Sequence, residues 1–462
     1  VTPSSVSFAT RLCTLLSLAW PVVLARSTQA VIGFTDALMS APLGQDALAA
    51  VTTGSMNSFT LAILPMGIVF IVQSFAAQMA GEGDLGGARR YGWYGLLLGA
   101  ATGVIGLVAL PFVAPALGAL EFEPHVRDLM AEYMMIRFLG LGAWIGTEAL
   151  GAWFGGLGNT RLHMIAGIVA MVANVGLAWV LIYGHLGAPA LGVAGAALAS
   201  TLASWLGFGV IFVCFLRGWG APAAARVSAG RLRRAEMWRV LRFGLPSGLN
   251  WFLEFAAFAV FINVSIAHLG TVVLAAMMVV INVNSVSFMP AFGVSSAGAI
   301  LVGQAIGAGR HDEVPAIVRT TAITTAAWQG TVGLLYLAAP AALIALFAPA
   351  GQRAEDLVDV GAVLLALSAA WQLFDAIAMS MGESLRAAGD TAWSMMARVT
   401  LAWAFFTPAS LLGVFVIDGG HVFALLSLAG YMALLSAALV WRFRGGAWRT
   451  IDLTGKREGA HA

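Results

Sequence analysis

Long apolar runs separated by short polar clusters dominate this chain. Runs of roughly 20 apolar residues are long enough to cross a bilayer as helices. Read that way, the chain predicts twelve spans, at 14–38, 53–77, 93–117, 130–153, 163–184, 191–216, 241–264, 274–298, 315–340, 359–382, 393–416 and 421–442. They lack the short alternating pattern of a membrane barrel, and lipid offers backbone groups no partners, so each is expected to be helical. The apolar stretch after Arg11 is longer than the apolar part of a leader, and no polar mature domain follows it. It is expected to be the first span.

Composition strengthens that picture. Of 462 residues, 60% are hydrophobic and 10% are charged, against about 25% charge in soluble domains. An all-α integral membrane protein follows, and nucleic-acid binding, cystine-rich secreted scaffolds and disordered tails are excluded. Cys13 and Cys214 lie in apolar surroundings with no CxxC pattern, so they read as small hydrophobes. No Walker loop, no HExxH and no histidine cluster occurs. The chain is therefore not expected to be an enzyme, to use ATP directly or to hold a cofactor, and ion gradients remain as the energy source.

Net charge is only +2, but the basic residues are unevenly placed. With the N-terminus in the cytoplasm, the connections on that side hold Arg89, Arg90, Arg161, Arg310, Arg319 and Arg386. The longest connection adds Arg217, Arg226, Arg231, Arg233, Arg234, Arg239 and Arg242, and the tail adds Arg442, Arg444, Arg449, Lys456 and Arg457. The opposite side has little beyond Arg127 and Arg353. This bias predicts both termini in the cytoplasm.

The stretch 217–240 reads as a linker between a six-helix lobe at 1–216 and a second at 241–442, with a cytoplasmic tail at 443–462. Landmarks recur across it. LGQDALAA at 43–50 is echoed by LGTVVLAA at 269–276, and Gln78, Gly81 and Gly83 by Gln304, Gly307 and Gly309, both at an offset of 226. Pro21 and Pro246 differ by 225, and the Gly-x-Thr endings of FGGLGNT and LRAAGDT by 231. Two parallel, pseudo-symmetric repeats around a central cavity are a transporter signature.

Charged groups at membrane depth cost about 2.5–3.5 kcal/mol each on the insertion scale. Four acids fall inside spans: Asp36, Glu148, Glu254 and Asp375. Glu254 and Asp375 lie at similar predicted depths on spans of opposite direction. Two facing carboxylates favour a shared cation, such as Na+, or a proton. Asp36, in GFTDALM, reads either as a second ion site or as an interfacial acid. Glu148 and Asp375 each follow a tryptophan by four residues, so Glu148 marks either a cavity wall or a buried pair with Arg26 or Arg137. Asn174, Asn263, Asn282 and Asn284 offer neutral oxygens or glue between helices, and of these Asn174 and Asn282 are expected to line or support the substrate cavity. Pro21 and Pro246 are candidate helix-bending positions. Pro246 also suits an ordinary helix N-terminus. Trp144, Trp251 and Trp371, the last beside Gln372, offer flat rings to lipophilic cations. Acids outnumber the two arginines identified within spans, Arg26 and Arg137. That favours export of small organic cations over a lipid-linked sugar flippase, which would line its cavity with basic residues for a pyrophosphate.

Several stretches resemble the multidrug and toxic compound extrusion (MATE) family, in its NorM-like branch: 18–50, QSFAAQMAGEGDLGGARR at 73–90, GLPSGLNWFLEF at 244–255, GQAIGAGRHDE at 303–313 and QLFDAIAMSMGESLRAAGDT at 372–391. The resemblance implies a V-shaped pair of six-helix lobes and antiport of cationic, lipophilic drugs against inward Na+ or H+, by a chain expected to be monomeric. It also implies that Asp36 is the acid of the first span and that Glu254 and Asp375 are cation-binding acids of the second lobe. Asn174 matches a polar position near the first-lobe site. Where some members carry a further acid one turn later, this chain has Ala178.

Overall fold

The computed structural model describes residues 7–119, 122–226, 230–347 and 352–455, without the side chains at 224, 226 and 352–354. The side chains of Arg226 and Arg353, and Lys456 and Arg457 altogether, thus lie outside the described residues. Among the described residues there is no strand. The helices are α1 (Phe8–Ser40), α2 (Gln45–Val69), α3 (Ile71–Glu82), α4 (Leu85–Gly118), α5 (Pro124–Phe138), α6 (Leu141–Gly156), α7 (Arg161–Tyr183) and α8 (Gly192–Arg217). They continue with α9 (Arg234–Val260), α10 (Thr271–Gly307), α11 (Val314–Ala338), α12 (Pro340–Ala345), α13 (Gln352–Ala388), α14 (Thr391–Thr400), α15 (Thr407–Phe415) and α16 (Gly420–Arg444). Single π-helical turns, Phe261–Ile266 and Leu401–Phe406, extend α9 and join α14 to α15.

Among the described residues, ten helical segments are long and apolar enough to cross a membrane. The other two expected spans are present as helix but differ in character. The segment at 130–153 is divided between α5 and α6 at Leu139 and Gly140. The segment at 315–340 is α11, whose apolar run is diluted by Thr320, Thr321, Thr324, Thr325 and Gln329.

Contacts divide the chain into two compact units. One comprises Pro21–Gly248; the other joins the segment ending at Trp20 to everything from Leu249 onward. Both divisions fall inside helices, α1 and α9, beside an internal proline. Pro21 and Pro246 remove the ladder bonds to the carbonyls of Ser17 and Arg242, which weakens the helix at those places. Helix α9 starts at Arg234 rather than near 241, so Pro246 lies in its interior and is not an N-terminal residue. The described residues of the polar stretch 217–240 belong to the first of these units. Arg89 on α4 donates to the carbonyls of Phe215 and Ala225, and Arg90 and Tyr94 both bond Glu236.

The repeat is visible in the backbone. Gly44 and Gly270, preceding α2 and α10, have φ of 115° and 106°; Gly83 and Gly309 have 77° and 74°; Gly158 and Gly389 have 87° and 90°. Each pair closes an equivalent turn at a conformation that suits glycine. Small residues then set the packing, as expected where lipid supplies no drive for helices to associate. A Cβ on Gly99 or Gly103 of α4 would lie 3.0–3.2 Å from the backbone of Gly146 or Gly142 on α6. In the other unit, Leu15 and Ala19 pack with Val294 and Ala297 of α10. The described end of the chain also packs down: Trp448 stacks on Phe443 at 5.4 Å, and Leu453 is fully buried.

Candidate ion and substrate site

In the unit Pro21–Gly248, α1, α7 and α8 converge on Asp36. Its carboxylate is 4% exposed. Asn174 Nδ2 donates to Asp36 Oδ1 at 3.1 Å and to Ser200 Oγ at 2.9 Å, and Ser200 Oγ donates to Asp36 Oδ2. Nearby, Tyr183 on α7 donates to the carbonyl of Met39 at 2.7 Å, fixing the end of α1 to α7. Asp36 is thus buried within the protein, near the end of α1. Among the described residues no salt bridge reaches it; Arg137 acts on it only through its field. Asn174 Oδ1 is buried without a hydrogen-bond partner, a neutral oxygen beside the carboxylate. Ala178, where a further acid is sometimes found, is fully buried in the apolar cluster with Val51 and Tyr133.

Glu148 lies in the same unit but at a separate centre. It is 2% exposed, with Arg26 Nη2 at 3.0 Å and His163 Nε2 at 3.7 Å. Arg26 also lies over the Phe70 ring at 4.9 Å. The bare backbone of Gly151 makes room for the His163 ring, which a Cβ would approach to 2.5 Å. Of the two sequence alternatives for Glu148, this geometry matches buried pairing with Arg26. Arg137 instead lies 6.0 Å from the Trp144 ring.

In the other unit, Glu254 on α9 and Asp375 on α13 share one electrostatic neighbourhood, but each has its own partners. Arg398 Nη1 on α14 lies 3.1 Å from Glu254 Oε1 and 3.3 Å from Oε2, and Tyr431 OH on α16 donates to the same Oε1 at 2.8 Å. Asp375 Oδ2 accepts from Gln329 Nε2 on α11 at 2.8 Å. The field at Asp375 comes from both Arg398 and Glu254. Arg398 is therefore a further arginine within a span, beside Arg26 and Arg137. Arg398 lies only five residues inside the predicted span at 393–416, where a flanking arginine is the ordinary reading, so sequence alone does not mark it as the partner of an acid.

A polar ladder follows α13 past Asp375. Gln372 donates to Asn284 and accepts from Ser287 at 2.8 Å, while Ser295, Ser380 and Thr325 link α10, α13 and α11. Asn284 belongs to this ladder. Asn282, the asparagine favoured from sequence, is exposed and bonds the Met278 carbonyl of its own helix. Asn263 likewise bonds the Ala259 carbonyl. Trp371 is half-buried against the apolar core of its unit, and Trp251 meets the Phe292 ring at 5.9 Å. Among the described residues, no group of three or more His, Cys, Asp or Glu is placed to hold a metal ion.

The family described as MatE matches the chain twice, at residues 21–180 and 246–405. The two matches begin at Pro21 and Pro246, repeating the 225-residue offset and establishing the duplication. A probable multidrug resistance protein NorM of Neisseria meningitidis is 33% identical over 63% of this chain and 64% of its own length, so that match spans slightly under two thirds of the relative. The corresponding protein of Chromobacterium violaceum is 30% identical over 84% of this chain and 82% of its own. A solved structure described as the outward-facing conformation of a multidrug resistance MATE family transporter superposes with a TM-score of 0.87 at 18% identity, covering 96% of this chain and 97% of that one. The shared fold is thus an all-helical membrane fold.

Proposed function

This chain belongs to the MatE family, whose members are membrane transporters and not enzymes, and from that premise we propose that it is a secondary antiporter. It exports cationic, lipophilic drugs or toxins in exchange for inward Na+ or H+ by alternating access. The observation that carries this reading is Asp36, a carboxylate on an apolar helix long enough to span a membrane, almost fully buried and bonded, among the described residues, by the neutral Asn174 and Ser200. Such a group is tolerated when it can take up a proton, hold a cation or meet water. Multidrug resistance names among the relatives supply the substrate class.

Asp36 serves as one ion-coupling group and the Glu254–Asp375 pair as another. Ion uptake weakens carboxylate attraction for the cationic substrate and favours its release. Coupling requires that each ligand prefer a different conformational state, since a ligand of equal affinity for both shifts nothing. Trp371 and Gln372 line the substrate path, Glu148 and Asn174 support it, and Pro21 and Pro246 are the points at which α1 and α9 yield. The basic-side bias supports both termini in the cytoplasm, the bacterial relatives support a bacterial inner membrane, and the working unit is a monomer. A lipid-linked sugar flippase draws little support from Arg398 or Arg26, because both guanidinium groups are engaged by carboxylates.

Ethidium or norfloxacin efflux from proteoliposomes, with proton and sodium gradients imposed separately, tests the proposal. At least one gradient drives export, and Glu254→Gln with Asp375→Asn reduces it. Wild-type rates from both variants would remove these residues from the coupling mechanism, and absence of flux under either gradient would remove the antiport.

A further inference from the structure

A guanidinium already stands where the second carboxylate centre would neutralise itself with a metal ion. Both oxygens of Glu254 face Arg398 Nη1, at 3.1 and 3.3 Å, and Oε1 also accepts from Tyr431 at 2.8 Å. A hard cation needs oxygen ligands, and Arg398 already directs a charged donor at both oxygens of Glu254. The accommodation is built into the backbone. Gly382 lies on α13, and a Cβ there would come within 2.8 Å of Arg398 Nη2, so the head of the arginine rests on helix surface left bare by a glycine. Gly382 follows Asp375 by seven residues, close to two helical turns, and therefore shares its face of α13. Glu254, Arg398 and Asp375 together carry a formal charge of −1. Without the arginine the figure is −2, the balance that draws in a small cation.

We propose that Arg398 is a resident counter-cation that takes the place of sodium at Glu254, making this centre unresponsive to Na+ and leaving the organic cationic substrate to compete with a tethered guanidinium. The inference rests on the transporter reading above and narrows its choice of coupling ion: Na+ does not act through Glu254 in the wild-type chain. Arginine suits the role because it stays charged under all working conditions and meets a carboxylate through a fixed fork of donors. Lysine keeps the charge but not the fork, so Arg398→Lys tests charge separately from geometry.

The full-length chain, purified in detergent, is titrated with radiolabelled sodium, and efflux of ethidium from proteoliposomes is followed under a sodium gradient alone. Wild type is expected to show no saturable sodium binding that Glu254→Gln abolishes. Arg398→Gln is expected to acquire such binding, lost again in the Arg398→Gln/Glu254→Gln double variant, while Arg398→Lys stays unresponsive. Saturable sodium binding by wild type that depends on Glu254 overturns the proposal, as does a folded Arg398→Gln protein that binds no more sodium than wild type. If Arg398→Gln fails to fold, wild type, Arg398→Lys and Glu254→Gln decide the matter. A chain that exports nothing under any gradient refutes the antiporter reading, while the sodium titration still judges Arg398.

Discussion

Asp36 and Glu254 occupy the two halves of a duplicated chain, yet they are held by opposite chemistry. Asp36 accepts from an asparagine amide and a serine hydroxyl, both neutral, and is 4% exposed. Glu254 accepts from an arginine and a tyrosine, with its side chain 30% exposed. Hydrogen bonds from neutral groups hold a carboxylate in place but leave its charge to be matched by a mobile ion. A guanidinium matches that charge permanently. Repetition of the fold therefore did not repeat the partners: a few side chains decide whether a carboxylate is met by neutral donors or by a guanidinium.

Asp36→Asn should have the largest effect on transport, because it removes the charge while keeping the shape and leaves the Arg398 centre intact. Loss of nearly all gradient-driven ethidium efflux is expected, with normal expression and helix content. Retention of wild-type flux would show that the neutral-donor centre is not the coupling group. Next comes a stability effect at the third carboxylate. Arg26→Met leaves Glu148, at 2% exposure, with only His163 near it. Breaking a buried ion pair by removing one partner costs about 3–5 kcal/mol. The thermal unfolding midpoint in detergent should fall markedly and recover in Arg26→Met/Glu148→Gln; an unchanged midpoint in the single variant would mean that Arg26 does not sustain this centre.

Smaller effects sharpen the contrast further. Ser200→Ala takes one of the donors from Asp36, a loss of about 1.5–3 kcal/mol for a bond to a charged group, and should slow efflux several-fold under a limiting gradient while Asn174 keeps its bond. An unaltered rate would assign Ser200 to packing alone. Gly382→Ala should change least. The added Cβ meets the far end of a flexible arginine, 2.8 Å away, so the stability change should stay within about 1 kcal/mol. Its sodium binding should fall between wild type and Arg398→Gln; a value identical to wild type would show that the guanidinium does not need the glycine.

Much of this was legible in sequence, for reasons that differ by residue. Spans follow from apolar length, because hydrocarbon imposes one minimum on every helix. The repeat was legible in its turns: the Gly83/Gly309 and Gly44/Gly270 echoes mark places where left-handed backbone restricts the choice of residue. Asp36 stood out because an acid in an apolar run is costly. Ser200 and Tyr431 did not, since a serine or tyrosine in a membrane helix is ordinary. Asn282 was preferred to Asn284 because two asparagines two residues apart look alike in sequence, although helical geometry turns them to different faces.

The sequence alone determined that this chain crosses a membrane many times as helices, that it is doubled, and that it carries acids at depth. These are local properties: apolar length, repeated turn chemistry and the cost of charge in lipid act on each segment by itself. Only tertiary structure decided which acid is balanced and by what. Arg398 lies 144 positions from Glu254, and Asn174 lies 138 from Asp36. Charge acts through space, so the same carboxylate is an ion-exchange group or half of a fixed pair according to which distant helix is packed beside it.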